Sequence, residues 1–198
     1  QPSGNGGYQL NGASITLSGA TPALAIGGAS YTVINSLGAA TDATTAPATP
    51  TLQGLAATAN LTKYYALGND IDATATASWN AGAGFTPIGS NSSNSNSYPN
   101  AFTGTLDGLG HTIRNLAINQ PSASEIGLFG FTWNGFSVRN LGLINVNASG
   151  SSDVSGLVGA NAGSVSNSYA TGNVNGSRHV GLLIGSNLGP VDNSYAVG

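Results

Sequence analysis

The C-terminal half of the chain is built from an internal repeat. Four segments carry a valine or isoleucine, any residue, and then an asparagine, and consecutive asparagines are separated by 25, 27 and 26 residues. A glycine precedes each segment by two or three residues. The segments are Ile113-Arg114-Asn115, Val138-Arg139-Asn140, Val165-Ser166-Asn167 and Val191-Asp192-Asn193. A fixed period of this size indicates structural units that stack on one another.

A second pattern recurs once per unit. Glycine, leucine and one or two further apolar residues are followed by another glycine, and the last copy carries one extra residue. The copies are Gly127-Leu128-Phe129-Gly130, Gly156-Leu157-Val158-Gly159 and Gly181-Leu182-Leu183-Ile184-Gly185. Two patterns that keep the same period strengthen the prediction of a solenoid.

Residue type favours a β-solenoid over the other repeat folds. Each unit contains several glycines, asparagines and serines with β-branched residues between them, which disfavours helices and favours short strands joined by tight turns. A leucine-rich repeat would need more leucines per unit. We therefore predict an all-β chain that forms a right-handed parallel β-helix with inserted surface loops.

The N-terminal part of the sequence is less regular. Residues 1–60 are predicted to form an irregular β region with an Ala/Thr/Pro loop at residues 41–50 that projects from the body. Residues 61–198 are predicted to form the β-helix, with clear repeats from about residue 101. A second exposed loop, rich in serine and asparagine, is expected at residues 90–100.

Composition excludes several classes of function. Charged residues make up 6% of the chain, the formal net charge is −3, and only four residues are Lys or Arg, too few to bind a phosphate backbone. No stretch has the length and apolarity of a membrane span, so neither nucleic acid binding nor direct membrane insertion is expected. Cysteine and methionine are absent. An extracellular or bacterial cell-surface location without disulfides is the expected setting.

The repeated polar and aromatic residues have structural interpretations. Asn115, Asn140, Asn167 and Asn193 are predicted to face inward at one bend of successive coils, where their amides would form a hydrogen-bonded ladder. Tyr169 and Tyr195 occupy equivalent positions and should stack about 4.8 Å apart per coil. Packing is the structural interpretation of these tyrosines, and sugar stacking is the functional alternative.

The acidic residues give no catalytic constellation. A glycosidase needs two carboxylates about 5 to 10 Å apart, and the seven acids of this chain are scattered. Asp70 and Asp72 are a weak candidate for a Ca²⁺ site, and a solvated or turn-capping pair is the alternative. His111 and His179 have no metal-ligand spacing and are expected at the surface or in turns. No catalytic residue, metal or cofactor is therefore predicted.

Several segments together resemble a known family. Residues 65–72, 79–80, 84–89 and 102–113 are similar to the passage that precedes GLUG-motif repeats in filamentous-haemagglutinin-like bacterial surface proteins, and residues 154–176 and 180–198 resemble the GLUG motif itself. The resemblance implies secreted, β-helical adhesins or biofilm proteins. An Asn-Pro-Asn-type secretion motif, which such proteins carry, is absent from residues 1–60.

These observations predict a non-enzymatic structural or adhesive segment of a secreted bacterial surface protein. Its partners would be a host-cell or matrix surface, or a second copy stacked head to tail in a filament. A carbohydrate-binding β-helix that contacts a glycan is the alternative. A polysaccharide-degrading enzyme and an ice-binding protein fit less well, because catalytic acids and a regular threonine array are both missing. Because residue 198 lies in the middle of a repeat, further repeats or coil-on-coil stacking are expected there.

Overall fold

The computed structural model describes residues 10, 12–19, 22–91 and 98–198. The described chain is a β-solenoid, in which strands of successive coils pair in parallel. The prediction of a parallel β-helix is confirmed in this sense. The strands are β1 (Leu24–Ile26), β2 (Ala29–Ile34), β3 (Tyr64–Leu67), β4 (Ile71–Asp72), β5 (Thr105–Asp107), β6 (Thr112–Arg114), β7 (Ala117–Asn119), β8 (Ser124–Ile126), β9 (Phe129–Phe131), β10 (Ser137–Arg139), β11 (Gly142–Ser149), β12 (Ser152–Val154), β13 (Val158–Asn161), β14 (Ser164–Ser166), β15 (Tyr169–Asn175), β16 (Arg178–Val180), β17 (Ile184–Asn187), β18 (Val191–Asp192) and β19 (Tyr195–Val197).

Four sheets run along the solenoid. Sheet A has the order β1-β2-β3-β5-β10-β14-β18, and sheet B has the order β19-β15-β11-β6-β4, with β7 also paired to β11. Sheet C (β16-β12-β8) and sheet D (β17-β13-β9) have three strands each. Every pair is parallel except β1 with β2, which is an antiparallel hairpin. The coils that begin with β5, β10 and β14 contribute strands to all four sheets, whereas the earlier coils contribute strands only to sheets A and B.

Aliphatic side chains at the repeat positions form the core. In sheet A, Leu106, Val138, Val165 and Val191 lie in one register on successive coils, and the first three are fully buried. The Gly-Leu repeat behaves as predicted, because Phe129, Val158 and Ile184 pair in sheet D. The register thus places the extra residue of the last copy before Ile184.

The predicted irregular region 1–60 already contributes to the solenoid. Strand β2 pairs in parallel with β3, so sheet A extends into this region. The rest of the first coil contains short 3-10 turns instead of strands, and no described residue of the loop 41–50 is buried. The described part of the predicted loop 90–100 excludes residues 92–97. The 3-10 segments are Ala40–Ala43, Gln53–Ala56, Thr58–Asn60 and Thr74–Gly82.

Candidate functional site

Left-handed residues mark the corners where one sheet gives way to the next. Asn140, Asn167 and Asn193 follow the sheet A strands β10, β14 and β18 and have φ angles of 55°, 46° and 47°. Asparagine tolerates this conformation better than most residues because its short polar side chain can hydrogen-bond locally. The recurrence of asparagine therefore reflects a backbone requirement of the corner.

Asn115, Asn140, Asn167 and Asn193 do not form the single ladder that the sequence predicted. Asn115 follows β6, which pairs with β11 in sheet B, so its neighbour in the next coil is Asn145 and not Asn140. The Asn145 amide donates to the Asn115 side-chain oxygen at 2.8 Å. The similar spacing misled the prediction because two different corners of the solenoid both use a left-handed asparagine.

The four asparagines also do not face inward. Asn115 and Asn140 are half-buried, and Asn167 and Asn193 are exposed. Beside them, Ser168 is 1% exposed, and its backbone N–H donates to the hydroxyl of Ser194 at 3.1 Å. At this corner the residue after each asparagine takes the inward position: Leu141 and Ser168 are each 1% exposed, and Ser194 is half-buried.

A buried amide ladder does exist at another corner, where the sequence analysis did not place one. Asn161 is 2% exposed, accepts from the Thr132 hydroxyl at 3.1 Å and donates to the Asn187 side-chain oxygen at 2.7 Å. Both asparagines also bond the backbone of the glycine two residues later, Gly163 and Gly189. The available signal was the Asn-x-Gly string that precedes each of the last two valine segments.

The predicted tyrosine stack is present. Tyr169 and Tyr195 are paired in register, their ring centroids are 5.3 Å apart and their planes differ by 7°. On its other side the Tyr169 ring covers Gly142, where an added Cβ would lie 2.5 Å from the ring. Both faces of Tyr169 are therefore occupied, and only the outer face of Tyr195, which is 57% exposed, has no paired strand beyond it among the described residues.

A cleft of about 530 Å³ lies along the asparagine corner between sheets A and B. The segment around Ala13 forms one wall, held by a hydrogen bond from the Ile15 N–H to the Leu109 carbonyl at 2.9 Å. No lining residue carries a formal charge. The lining residues are Leu10, Gly12, Ala13, Gly110, Asn140, Leu141, Gly142, Asn167, Tyr169 and Asn193. We call this feature the corner cleft.

The candidate Ca²⁺ pair is engaged by protein donors. Asp70 accepts from the Thr112 N–H at 2.8 Å and from the Arg114 guanidinium at 3.2 Å. Partial burial acts to raise the pKa of Asp70, but hydrogen bonds from Thr112 and His111 lower it overall. Hydrogen bonds from Thr74 lower the pKa of Asp72. A guanidinium beside Asp70 opposes cation binding, so this geometry does not fit a Ca²⁺ site.

The histidines and the remaining acids are distributed along the coils. His179 lies 2.8 Å from the Asp153 carboxylate, and Asp153 is in register with Glu125 in sheet C. Burial raises the pKa of Glu125. His111 is 5% exposed and its ring contacts the Ile15 carbonyl. Its backbone N–H donates to the Gly108 carbonyl at 2.9 Å, so it lies in a turn, which is one of its two predicted positions, and not at the surface. Within the described part of the chain, no three His, Cys, Asp or Glu side chains are placed to hold a metal ion.

One buried ion pair crosses two coils of sheet A. Asp107 is completely buried and accepts from the Arg139 guanidinium at 2.6 Å and from the Asn140 amide at 3.1 Å. Arg139 also donates to the Tyr31 hydroxyl of β2 at 3.0 Å. Burial acts to lower the pKa of Arg139, but Asp107 outweighs it and raises that pKa overall. This cluster ties three coils together and is closed to a ligand on the Asp107 side.

The described residues form a charge-poor β-solenoid with an uncharged cleft along one of its corners. Over 112 residues the chain is 42% identical to halomucin of Haloquadratum walsbyi (strain DSM 16790 / HBSQ001). The aligned region covers 56% of this chain but 1% of halomucin, so it spans a small part of that protein. No protein family model and no solved structure matches the chain.

The similarity to halomucin and the β-solenoid fold fit a surface or structural role. None of the described helices is both long enough and apolar enough to cross a membrane.

Proposed function

We propose that the chain is a non-enzymatic structural or adhesive segment of a secreted surface protein, in which coils stack on further coils of the same kind. The observation that carries the proposal is the parallel pairing of strands from coil to coil along the solenoid. Strands β16, β18 and β19 consist entirely of exposed residues, and each is the outermost described strand of its sheet. Strand edges of this kind are templates for pairing with a further coil, whether of the same polypeptide or of another copy.

The similarity to halomucin and the composition support an extracellular setting for this function. The GLUG-like repeats and an adhesive partner on a host-cell or matrix surface belong to the same proposal. A cysteine-free, charge-poor solenoid gains stability from backbone pairing between coils, which suits a structural element outside the cell.

A non-enzymatic role is supported by the environment of the carboxylates. Asp107 and Asp70 each lie against an arginine, and Asp153 lies against His179. Glu125, whose pKa is raised by burial, accepts from the Asn91 N–H at 2.7 Å. Glu125 and Asp153 lie in register on adjacent coils, but each carboxylate is already engaged by a protein partner, whereas glycoside hydrolysis requires two carboxylates that flank a bound substrate.

The exposed edge of the last described coil is where a further coil would pair. In sheet A, β1 pairs antiparallel with β2 at one edge, and β18 lies at the opposite edge. A further coil there would cover exposed apolar groups of Tyr195, Val191 and Val197.

Sedimentation velocity of the 198-residue chain over a wide concentration range tests coil-on-coil stacking. We expect the chain to associate as its concentration rises, Val197→Lys to weaken that association, and Ala25→Lys to leave it unchanged. Both lysines replace exposed strand residues, one in β19 and one in β1. A monomer at every concentration, or equal loss of association in both variants, would contradict the proposal. Filaments in electron microscopy would support stacking of copies head to tail.

A further inference from the structure

We infer that the corner cleft binds a neutral oligosaccharide, with the carboxamides of Asn167 and Asn193 as its principal contacts. The cleft lies on a lateral corner, so this binding does not require the association of C-terminal coils. The size of the cleft, about 530 Å³, falls within the range of small-molecule sites.

The asparagines present an ordered row of polar groups to the cleft. They follow paired strands of successive coils, so their spacing is that of neighbouring strands, about 4.8 Å. Each carboxamide offers two donors and one acceptor oxygen. Among the described residues, the side chains of Asn167 and Asn193 make no hydrogen bond, whereas the Asn140 amide is held by Asp107. The two outer amides are therefore available to a ligand.

The charge and shape of the cleft select the class of ligand. The described part of its lining contains Leu, Gly, Ala, Asn and Tyr, so these residues offer no cation for a phosphate, sulfate or carboxylate group. Gly142 lets the Tyr169 ring and Gly110 lets the Ala13 backbone approach closely, so uncharged groups line the cleft on both sides. Sugar hydroxyls both donate and accept, which matches a row of carboxamides bordered by a tyrosine hydroxyl.

Tyr169 does not offer the cleft a ring face for stacking on a sugar, which is the functional alternative drawn from the sequence. Because Tyr169 lies between Gly142 and Tyr195, no face of its ring can stack on a sugar. Its hydroxyl and ring edge can contact the ligand within the cleft. A neutral oligosaccharide is therefore recognised mainly by hydrogen bonds, and its affinity should change little with salt.

An array of neutral oligosaccharides, followed by calorimetry with the best tetrasaccharide, tests this inference. We expect Asn167→Gly and Asn193→Gly to weaken binding at least about tenfold, which corresponds to about 1.4 kcal/mol. Glycine keeps the left-handed backbone while removing the carboxamide. Asn145→Gly is the matched control, because Asn145 also has a left-handed backbone but belongs to another corner. The affinity of this variant for the tetrasaccharide should equal that of the unsubstituted chain.

The same titrations with the Val197→Lys variant separate this site from the C-terminal association. Glycan binding by that variant supports the assignment of the site to the corner cleft, whether or not the chain self-associates. The inference fails if the array shows no neutral glycan bound by the unsubstituted chain or if Asn167→Gly binds equally well. It also fails if an uncharged extended peptide occupies the cleft in preference to every glycan, as measured by competition.

Discussion

The first and the last described coils of the solenoid differ in how much of their apolar surface is exposed. At the N-terminal end, β1 covers the edge of sheet A, and Leu52 and Leu55, in and beside a 3-10 turn, are at most 1% exposed. At the C-terminal end, Tyr195 and Val197 are 57% and 60% exposed. Apolar side chains are therefore buried in the first described coil and exposed in the last one.

The two regions also differ in how repetitive their sequences are. The hairpin and the 3-10 turns lie in the least repetitive sequence, where they take the place of regular strands. The exposed coil lies in the most repetitive sequence, and its strand edges can pair with a further coil.

The largest expected difference in unfolding free energy is between variants of two aspartates, Asp107 and Asp192, that share one register of sheet A. Asp107 pairs with Arg139, which is in register with Ser166 and then Asp192. Asp107→Ala removes one partner of a buried ion pair and should lower the free energy of unfolding by about 3 kcal/mol or more. Asp192→Ala, at the open end, should change it negligibly. Urea denaturation measures both, and equal losses would contradict the difference between the ends.

The sequence predicted the stacking of coils but not every register. The period and the glycines predict the solenoid, and the Gly-Leu copies predict sheet D in detail. The Val-x-Asn pattern mixed two corners, because a left-handed asparagine satisfies the same backbone requirement after β6 and after β10. Local residue preference alone does not identify which sheet a strand joins.

The candidate cleft was only partly predictable for a related reason. The sequence identified Asn167, Asn193 and Tyr169 as repeat positions, but it assigned the amides to the interior. Their outward placement depends on Ser168, whose side chain is the inward partner at this corner. The wall of the cleft comes from residues near Ala13, and its contact with coils about 100 residues later depends on tertiary structure.

A valine pair should show the second largest effect. Val165 and Val191 are partners in adjacent coils, with 0% and 38% exposure. Val165→Ala removes two buried methyl groups and leaves a cavity, which should cost about 2 to 3 kcal/mol. Val191→Ala should cost about 0.5 kcal/mol or less. Thermal unfolding of the two variants gives the comparison. A Val191→Ala cost that rises with protein concentration would show that association buries the open end.

The smallest of these effects should separate the two asparagines of the buried amide ladder. Asn161→Ala leaves the Gly163 N–H and the Thr132 hydroxyl without the acceptor that Asn161 supplies, and we expect a loss of about 1 to 2 kcal/mol. Asn187 is exposed, so water can replace its bonds, and Asn187→Ala should cost less than about 0.5 kcal/mol. Urea denaturation at one protein concentration measures both. Because Asn161 and Asn187 bond one another, the double variant should cost about as much as Asn161→Ala alone. Fully additive losses would mean that the two amides stabilise their corners independently, and the ladder would then be a packing feature without cooperative hydrogen bonding.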